Sequence, residues 1–257
     1  MDDDICIIFE TMPTEQKQWF KSWFDTEEYH ELYGHRDYAE AEKFISRICE
    51  KLKIPSKSHC IDLACGKGRH SNTLAKLGMR VLGLDLSENS ISYATENALN
   101  GAIFKVHDMR DPLPVENVNY VFNLFTSFGY FEKDSTDLAI LKHQFESLKP
   151  GGFFVQDYLN APPIKSSLPL KNLIKKAKNT YRIEKFTENG SIKKQITFLK
   201  DGEDQVYTEQ VKIYSPEALK SLHEEAGFEV QEVLGEYSLA PFDANISKRI
   251  IIISKKC

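Results

Sequence analysis

Cysteine is scarce and unpaired in this sequence. Cys6, Cys49, Cys60, Cys65 and Cys257 are scattered over 257 residues. Their number is odd, and neither a Cys-x-x-Cys pair nor a Cys/His zinc spacing occurs. That excludes a disulfide framework and implies no metal; reduced thiols of a cytoplasmic protein are the expectation. No run approaches the roughly 20 apolar residues of a membrane helix. The opening "MDDDICIIFE" is acidic where an export signal is basic. Positive charge is in deficit too: 33 Lys and Arg against 38 Asp and Glu leave a net charge of −5. A dedicated nucleic-acid binder is disfavoured by that balance. Repeats and low-complexity tracts are absent. What remains is an ordinary globular composition, 41% hydrophobic and 28% charged. The length suits one large domain or a domain with an insertion.

The chain falls into three rhythms. Residues 13–53 read as helical with a break near Gly34, "WFKSWF" placing Trp19, Phe20, Trp23 and Phe24 at helical spacing. Pro55 stops that stretch. From "HCIDLA" onward, short apolar strands alternate with helices. The helix over 69–78 ends at Gly78, "RVLGLDLS" is the second strand, and Ser87 caps a helix over 88–99. "AIFKVHDM", "NYVFNLF" and "FFVQDYL" complete five strands, with a helix over 136–148 before the "KPGG" turn. Such alternation implies a parallel sheet covered on both faces. After Asn160 the rhythm changes. Residues 161–179 are rich in Pro and Lys, and three strands follow at about 180–188, 192–199 and 205–214. "ENGS" and "DGED" are hairpin turns, because Asn-Gly and Asp-Gly tolerate positive φ. An antiparallel insert over 161–214 thus interrupts the core. "SPEALKSLHEEAG" then reads as a helix with Ser215 as its cap, Pro216 at its first position and Gly227 past its end. "FEVQEVLGEY" and "SKRIIIISKK" form a closing strand pair.

The informative stretch is "CIDLACGKGRHS", residues 60–71. A strand ends on an acid, a glycine-broken turn follows, and a helix opens. Ligands of open parallel sheets bind beyond such carboxyl ends. Gly66 and Gly68 let the backbone approach a ligand closely. A dinucleotide fingerprint wants a third glycine where Ser71 stands, so an NAD-dependent oxidoreductase is disfavoured. The Gly-Lys-Ser/Thr of a phosphate-binding P-loop is missing.

The stretch resembles motif I of the class I S-adenosylmethionine-dependent methyltransferases, E/D-x-G-x-G-x-G. Asp62 matches the acid, Ala64 replaces the first glycine, and Gly66 and Gly68 match the others. The resemblance covers roughly 38–160 and 215–257. It implies an α/β three-layer sandwich with a seven-stranded mixed sheet whose last strand is antiparallel. The chain is then a single methyltransferase domain over 1–257, with 13–53 as a helical lid. The cofactor implied is S-adenosylmethionine, leaving S-adenosylhomocysteine as product. By the same resemblance Asp85, with Leu86 beside it, holds the ribose hydroxyls. Asp108 and Met109 hold the adenine. Strand ends near Asp62, Ala64 and Asn123 receive the ammonium group. N-terminal helices cover the cofactor, Tyr33 or Tyr29 lying near its methionine end, with Arg36 a further candidate.

The acceptor side is less legible. In "NLFTSFGYF", Asn123 is followed by Leu124 and Phe125, which breaks the [DN]-P-P-[YF] motif of adenine- and amide-methylating relatives. Tyr130 and His70 are candidate acid–base or orienting groups, against ordinary packing roles. By analogy the insert walls the acceptor pocket. "KNLIKKAKN", residues 171–179, reads as a solvated helix face or a contact for an anionic substrate. The resulting reading is methyl transfer to an unidentified small molecule. An RNA or protein methyltransferase and a non-catalytic cofactor-binding protein are the alternatives. Oligomeric state is not encoded legibly.

Overall fold

The computed structural model describes residues 19–34 and 38–257. The expectations on residues 13–18, Arg36 and Cys6 lie outside them. Three helices come first: α1 (Trp19–Phe24), α2 (Glu27–Tyr33) and α3 (Tyr38–Lys51). The helical stretch is therefore broken at residues 25–26 as well as near Gly34. Thr26 causes the first break, its side chain accepting from the Tyr29 N–H as the cap of α2.

The α/β core follows as β1 (His59–Leu63), α4 (Arg69–Lys76), β2 (Arg80–Asp85), α5 (Glu88–Glu96), β3 (Ala102–Val106), β4 (Val118–Asn123), α6 (Asp134–Ser147) and β5 (Leu148–Leu159). A short α7 (Ala161–Lys165) leads into the insert: β6 (Leu170–Lys175), β7 (Thr180–Glu188), β8 (Ser191–Lys200) and β9 (Glu203–Lys212). The chain closes with α8 (Pro216–Glu225), β10 (Glu229–Leu234) and β11 (Arg249–Lys255).

Seven strands form one sheet in the order β10-β11-β5-β4-β1-β2-β3. β11 alone is reversed, antiparallel to both β5 and β10. Strand alternation divides two cores across this sheet. Ile61, Leu63, Val121 and Phe154 face α6 and α8 with Ile140 and Leu219. Cys60, Tyr120, Phe122 and Val155 face α3 and α4 with Ile45, Ile48 and Leu74. The strand order reverses between β4 and β1, and a crevice at such a switch point is where α/β sheets bind ligands.

The insert differs from expectation. It has four antiparallel strands rather than three, in the order β6-β7-β8-β9. The lysine-rich segment supplies the extra one, an edge strand rather than a helix face. Lysines on an edge strand discourage pairing with another chain. Both hairpin turns behave as read. Asn189 and Gly190 have φ of 48° and 72°, and Asp201 and Gly202 have 53° and 85°. Those pairs suit the twist of a two-residue hairpin. The insert's inner face buries Tyr181, Ile183, Ile196 and Phe198 against Trp23 and Leu32 of α1 and α2. Among the described residues no helix is long and apolar enough to cross a membrane.

Candidate active site

A cavity of about 500 Å³ opens over the carboxyl ends of β1 to β4, walled by α1, α2 and the insert. Its first wall is the turn from β1 into α4. The two glycines of that turn do different work. Gly68, at φ 76°, caps α4, and a Cβ there would stand 2.6 Å from the Phe104 ring. Its role is close packing of α4 on β3. Gly66, at φ 53°, lines the cavity, and a Cβ there would meet nothing within 4 Å. It keeps the floor of the cavity open. Ala64 lines the same floor at φ 59°.

Asp85 ends β2 and faces the cavity. The Gly66 N–H donates to its Oδ2 at 2.8 Å and the Ser87 N–H to its Oδ1 at 2.9 Å. Burial pushes its pKa above the usual carboxylate range, against the opposing pull of the Ser87, Gly66 and Leu86 N–H groups. These N–H groups leave further lone pairs on a carboxylate oriented at the cavity. The Asp108 carboxylate is held by Arg110 through Nε and Nη2 at 3.0 and 2.5 Å. It lines the cavity with Leu86 and Met109. His107, between Asp85 and Asp108 along the wall, buries an Nε2 with no partner among the described residues.

Three of the expected site residues stand behind the wall. Asp62 is fully buried, and its Oδ2 accepts from Ser71 Oγ at 2.6 Å. Burial pushes its pKa up to about 7, and the nearby Asp85 adds to that rise. Asn123 is buried, its Nδ2 donating to the Leu63 and Ser127 carbonyls at 3.2 and 3.1 Å. That ties the β1 and β4 ends together. Gly68 packs as described. These residues shape the floor from beneath, while Ala64, Gly66, Asp85, Leu86, Asp108 and Met109 present the surface.

The α1–α2 side of the cavity converges on the insert. The Tyr33 hydroxyl and Trp23 Nε1 both donate to Glu209 Oε1, at 2.6 and 2.8 Å. Asp25, between α1 and α2, accepts from Ser87 Oγ at 2.6 Å and the Asn89 N–H at 3.0 Å, which docks the α1–α2 segment on the start of α5. Tyr130 lines the cavity, donates to the Thr126 carbonyl at 2.8 Å and packs edge-on against Trp19. His70 is buried at the start of α4 and lines the same space.

Sequence reasoning missed a loop and its anchor. Phe125 and Thr126, at the end of β4, both adopt positive φ, 61° and 63°. Consecutive non-glycine residues there are costly unless neighbours enforce them. Buried Asp157 does so: its Oδ2 accepts from the Phe125 N–H at 2.8 Å and from the Tyr237 hydroxyl at 3.0 Å. Its Oδ1 accepts from Arg249 Nε at 2.7 Å, and Arg249 Nη2 donates to Thr126 Oγ1 at 2.8 Å. Arg249, Phe125 and Thr126 all line the cavity, and the Arg69 guanidinium lies over the Phe125 ring at 4.6 Å. The sequence signal was Asp157, a charge inside the apolar "FFVQDYL"; Arg249 opens its strand beside Lys248 and is unmarked.

Residues 54–227 match the methyltransferase domain family. A putative methyltransferase of Bacillus subtilis (strain 168), YqeM, is 31% identical over 132 residues, 50% of this chain and 51% of that one. The dTDP-3-amino-3,4,6-trideoxy-alpha-D-glucopyranose N,N-dimethyltransferase of Streptomyces venezuelae is 31% identical over 120 residues, 47% and 50% of the two chains. The chain spans about half the length of these two curated relatives. A crystal structure of an S-adenosylmethionine-dependent methyltransferase from Clostridium acetobutylicum ATCC 824 superposes with a TM-score of 0.75 at 18% identity. That match covers 88% of this chain and 95% of the other, and it shows a shared fold.

Proposed function

The chain belongs to the methyltransferase domain family, and on that premise we propose that it transfers a methyl group from S-adenosylmethionine to a small-molecule acceptor. The observation that carries this reading is the single cavity joining the Gly66–Asp85–Asp108 wall to the insert. The residues fit the cofactor. Gly66 leaves room where a side chain would intrude, and Asp85 offers acceptor lone pairs for a ribose diol. His107 Nε2 is a buried polar atom that no described residue satisfies. Asp108 and Met109, one strand end further on, suit an adenine amino group and ring. When bound, S-adenosylmethionine supplies an electrophilic methyl group on a sulfonium.

The protein's own task is orientation and exclusion of water. The Asp157–Arg249 pair fixes the Phe125–Thr126 loop, so the acceptor meets a rigid wall rather than a mobile one. Holding two reactants in line supplies much of the acceleration in such displacements. The Tyr130 hydroxyl already donates to Thr126, so toward the cavity it accepts, which orients an N–H or O–H of the acceptor. Ile192 and Val211 of the insert, Leu159 at the end of β5 and Ile164 of α7 give the acceptor side apolar walls. Walling by the insert supports a small acceptor over an RNA or protein chain. The Streptomyces relative, named for an amino-sugar substrate, points the same way. A cytoplasmic location is proposed with it, supported by Cys49, Cys60, Cys65 and Cys257 all being free thiols.

The test is to incubate the protein with methyl-labelled S-adenosylmethionine and cell extract separated into small-molecule, RNA and protein fractions. Label in the small-molecule fraction is expected. Label confined to RNA or protein would overturn the choice of acceptor.

A further inference from the structure

On the inner face of the insert one charged row lines the cavity. Lys185 of β7 stands directly opposite Lys194 of β8, and Lys194 stands opposite Glu209 of β9. All three line the cavity. The row on one side is Ile183, Ile196 and Tyr207, packed under α1 and α2. The row on the other is Thr187, Ile192 and Val211, of which Ile192 and Val211 face the cavity. Charges at such positions call for a reason, and two like charges directly opposite are destabilising.

The charges do not cancel. Glu209 pairs with Lys194 at 3.8 Å and is held by Trp23 and Tyr33. Every lysine of β8 and β9 has a carboxylate: Lys193 has Glu188, Lys194 has Glu209, Lys200 has Glu28, and Lys212 has Asp134 and Asp137. Lys185 has none among the described residues. Its neighbour on the β6 side is Leu170. Arg249, the buried cation across the cavity, is already neutralised by Asp157. The insert therefore presents one uncompensated positive charge to the acceptor space, placed beside a second ammonium group. Directly opposed side chains in an antiparallel pair start about 5 Å apart at Cβ, close enough for both ammonium groups to reach one anion.

We propose that the methyl acceptor carries an oxyanion, a carboxylate or a phosphate, and that Lys185 and Lys194 bind it. This rests on the methyltransferase reading above. The oxyanion relieves the repulsion between the two lysines and fixes the acceptor's far end. Its nucleophilic end is then left to the Tyr130 and Thr126 side of the cavity.

The test is calorimetric titration of the S-adenosylhomocysteine-saturated protein with inorganic phosphate, pyrophosphate and acetate, at fixed ionic strength. At least one anion is expected to bind at a single site, and Lys185→Gln is expected to weaken it by about tenfold or more. Lys185→Arg keeps the charge and should keep binding. Both variants should bind S-adenosylhomocysteine as the wild type does, which also shows that they fold. Preference for phosphate or pyrophosphate assigns a phosphorylated acceptor; preference for acetate assigns a carboxylic acid. Absence of binding by all three anions would overturn the proposal, as would Lys185→Gln binding them like wild type, with the cofactor reading intact. Failure to bind S-adenosylhomocysteine at all would overturn both.

Discussion

The two glycines of the β1–α4 turn should fail in opposite ways when each is replaced by alanine. Gly68→Ala puts a Cβ 2.6 Å from Phe104 Cζ and 3.2 Å from Ala94 Cβ, at a backbone φ of 76°. Left-handed strain costs about 1–2 kcal/mol, and overpacking a filled site adds about 1–3 kcal/mol. The sum of about 2–5 kcal/mol lowers Tm by roughly 5–20 °C in a domain of this size. Gly66→Ala meets no atom within 4 Å, at φ 53°. It carries only the backbone strain, so Tm falls by roughly 2–8 °C. Its methyl, however, occupies the cavity floor beside Asp85. A group of that size misplaced in a fitted pocket costs about tenfold or more in affinity. Scanning calorimetry and titration with S-adenosylhomocysteine read the two effects separately. Normal affinity in Gly66→Ala would refute the assignment of Gly66 to the ligand surface. An unchanged Tm in Gly68→Ala would refute the packing role of Gly68.

Asp62 makes stability depend on pH. The unfolded carboxyl ionises near 3.9, whereas burial holds the folded one protonated up to about 7. Between those values the native state binds more protons, so stability falls as pH rises, by on the order of 4 kcal/mol in all. Asp62→Asn should therefore gain on the wild type from pH 4.5 to pH 7.5 in urea denaturation; a constant difference would contradict this. Asp157→Asn strips the buried Arg249 of its counter-charge and loosens the Phe125–Thr126 loop. A loss of about 3–5 kcal/mol is expected from such a break, read by chemical denaturation, and a loss below about 1 kcal/mol would contradict it.

The core was legible because its signals are local. Ser87 and Ser215 cap their helices as read, accepting from the Ser90 and Ala218 N–H groups at 3.0 and 3.1 Å. Asn-Gly and Asp-Gly marked their hairpins for the same reason. β6 escaped because "LKNLIK" has no clean alternation, and an edge strand needs none when Leu173 is left 68% exposed. The site was half legible. Spacing carried Gly66 and Asp85 to one wall, since motif and strand end lie close in sequence. Spacing does not report depth: Asp62 and Asn123 are strand-end polar residues like Asp85, yet their side chains lie behind the cavity surface. Asp157 and Arg249 are 92 residues apart, as Lys185 and Glu209 are separated by a whole strand. Only the folded sheets bring such pairs together.

The decisive measurement is calorimetric titration of the wild type and of Asp85→Ala with S-adenosylmethionine, S-adenosylhomocysteine and NAD. The wild type should bind the first two and not NAD, and a folded Asp85→Ala should lose that binding. Binding of NAD alone, or near-normal affinity in the variant, would contradict the cofactor assignment.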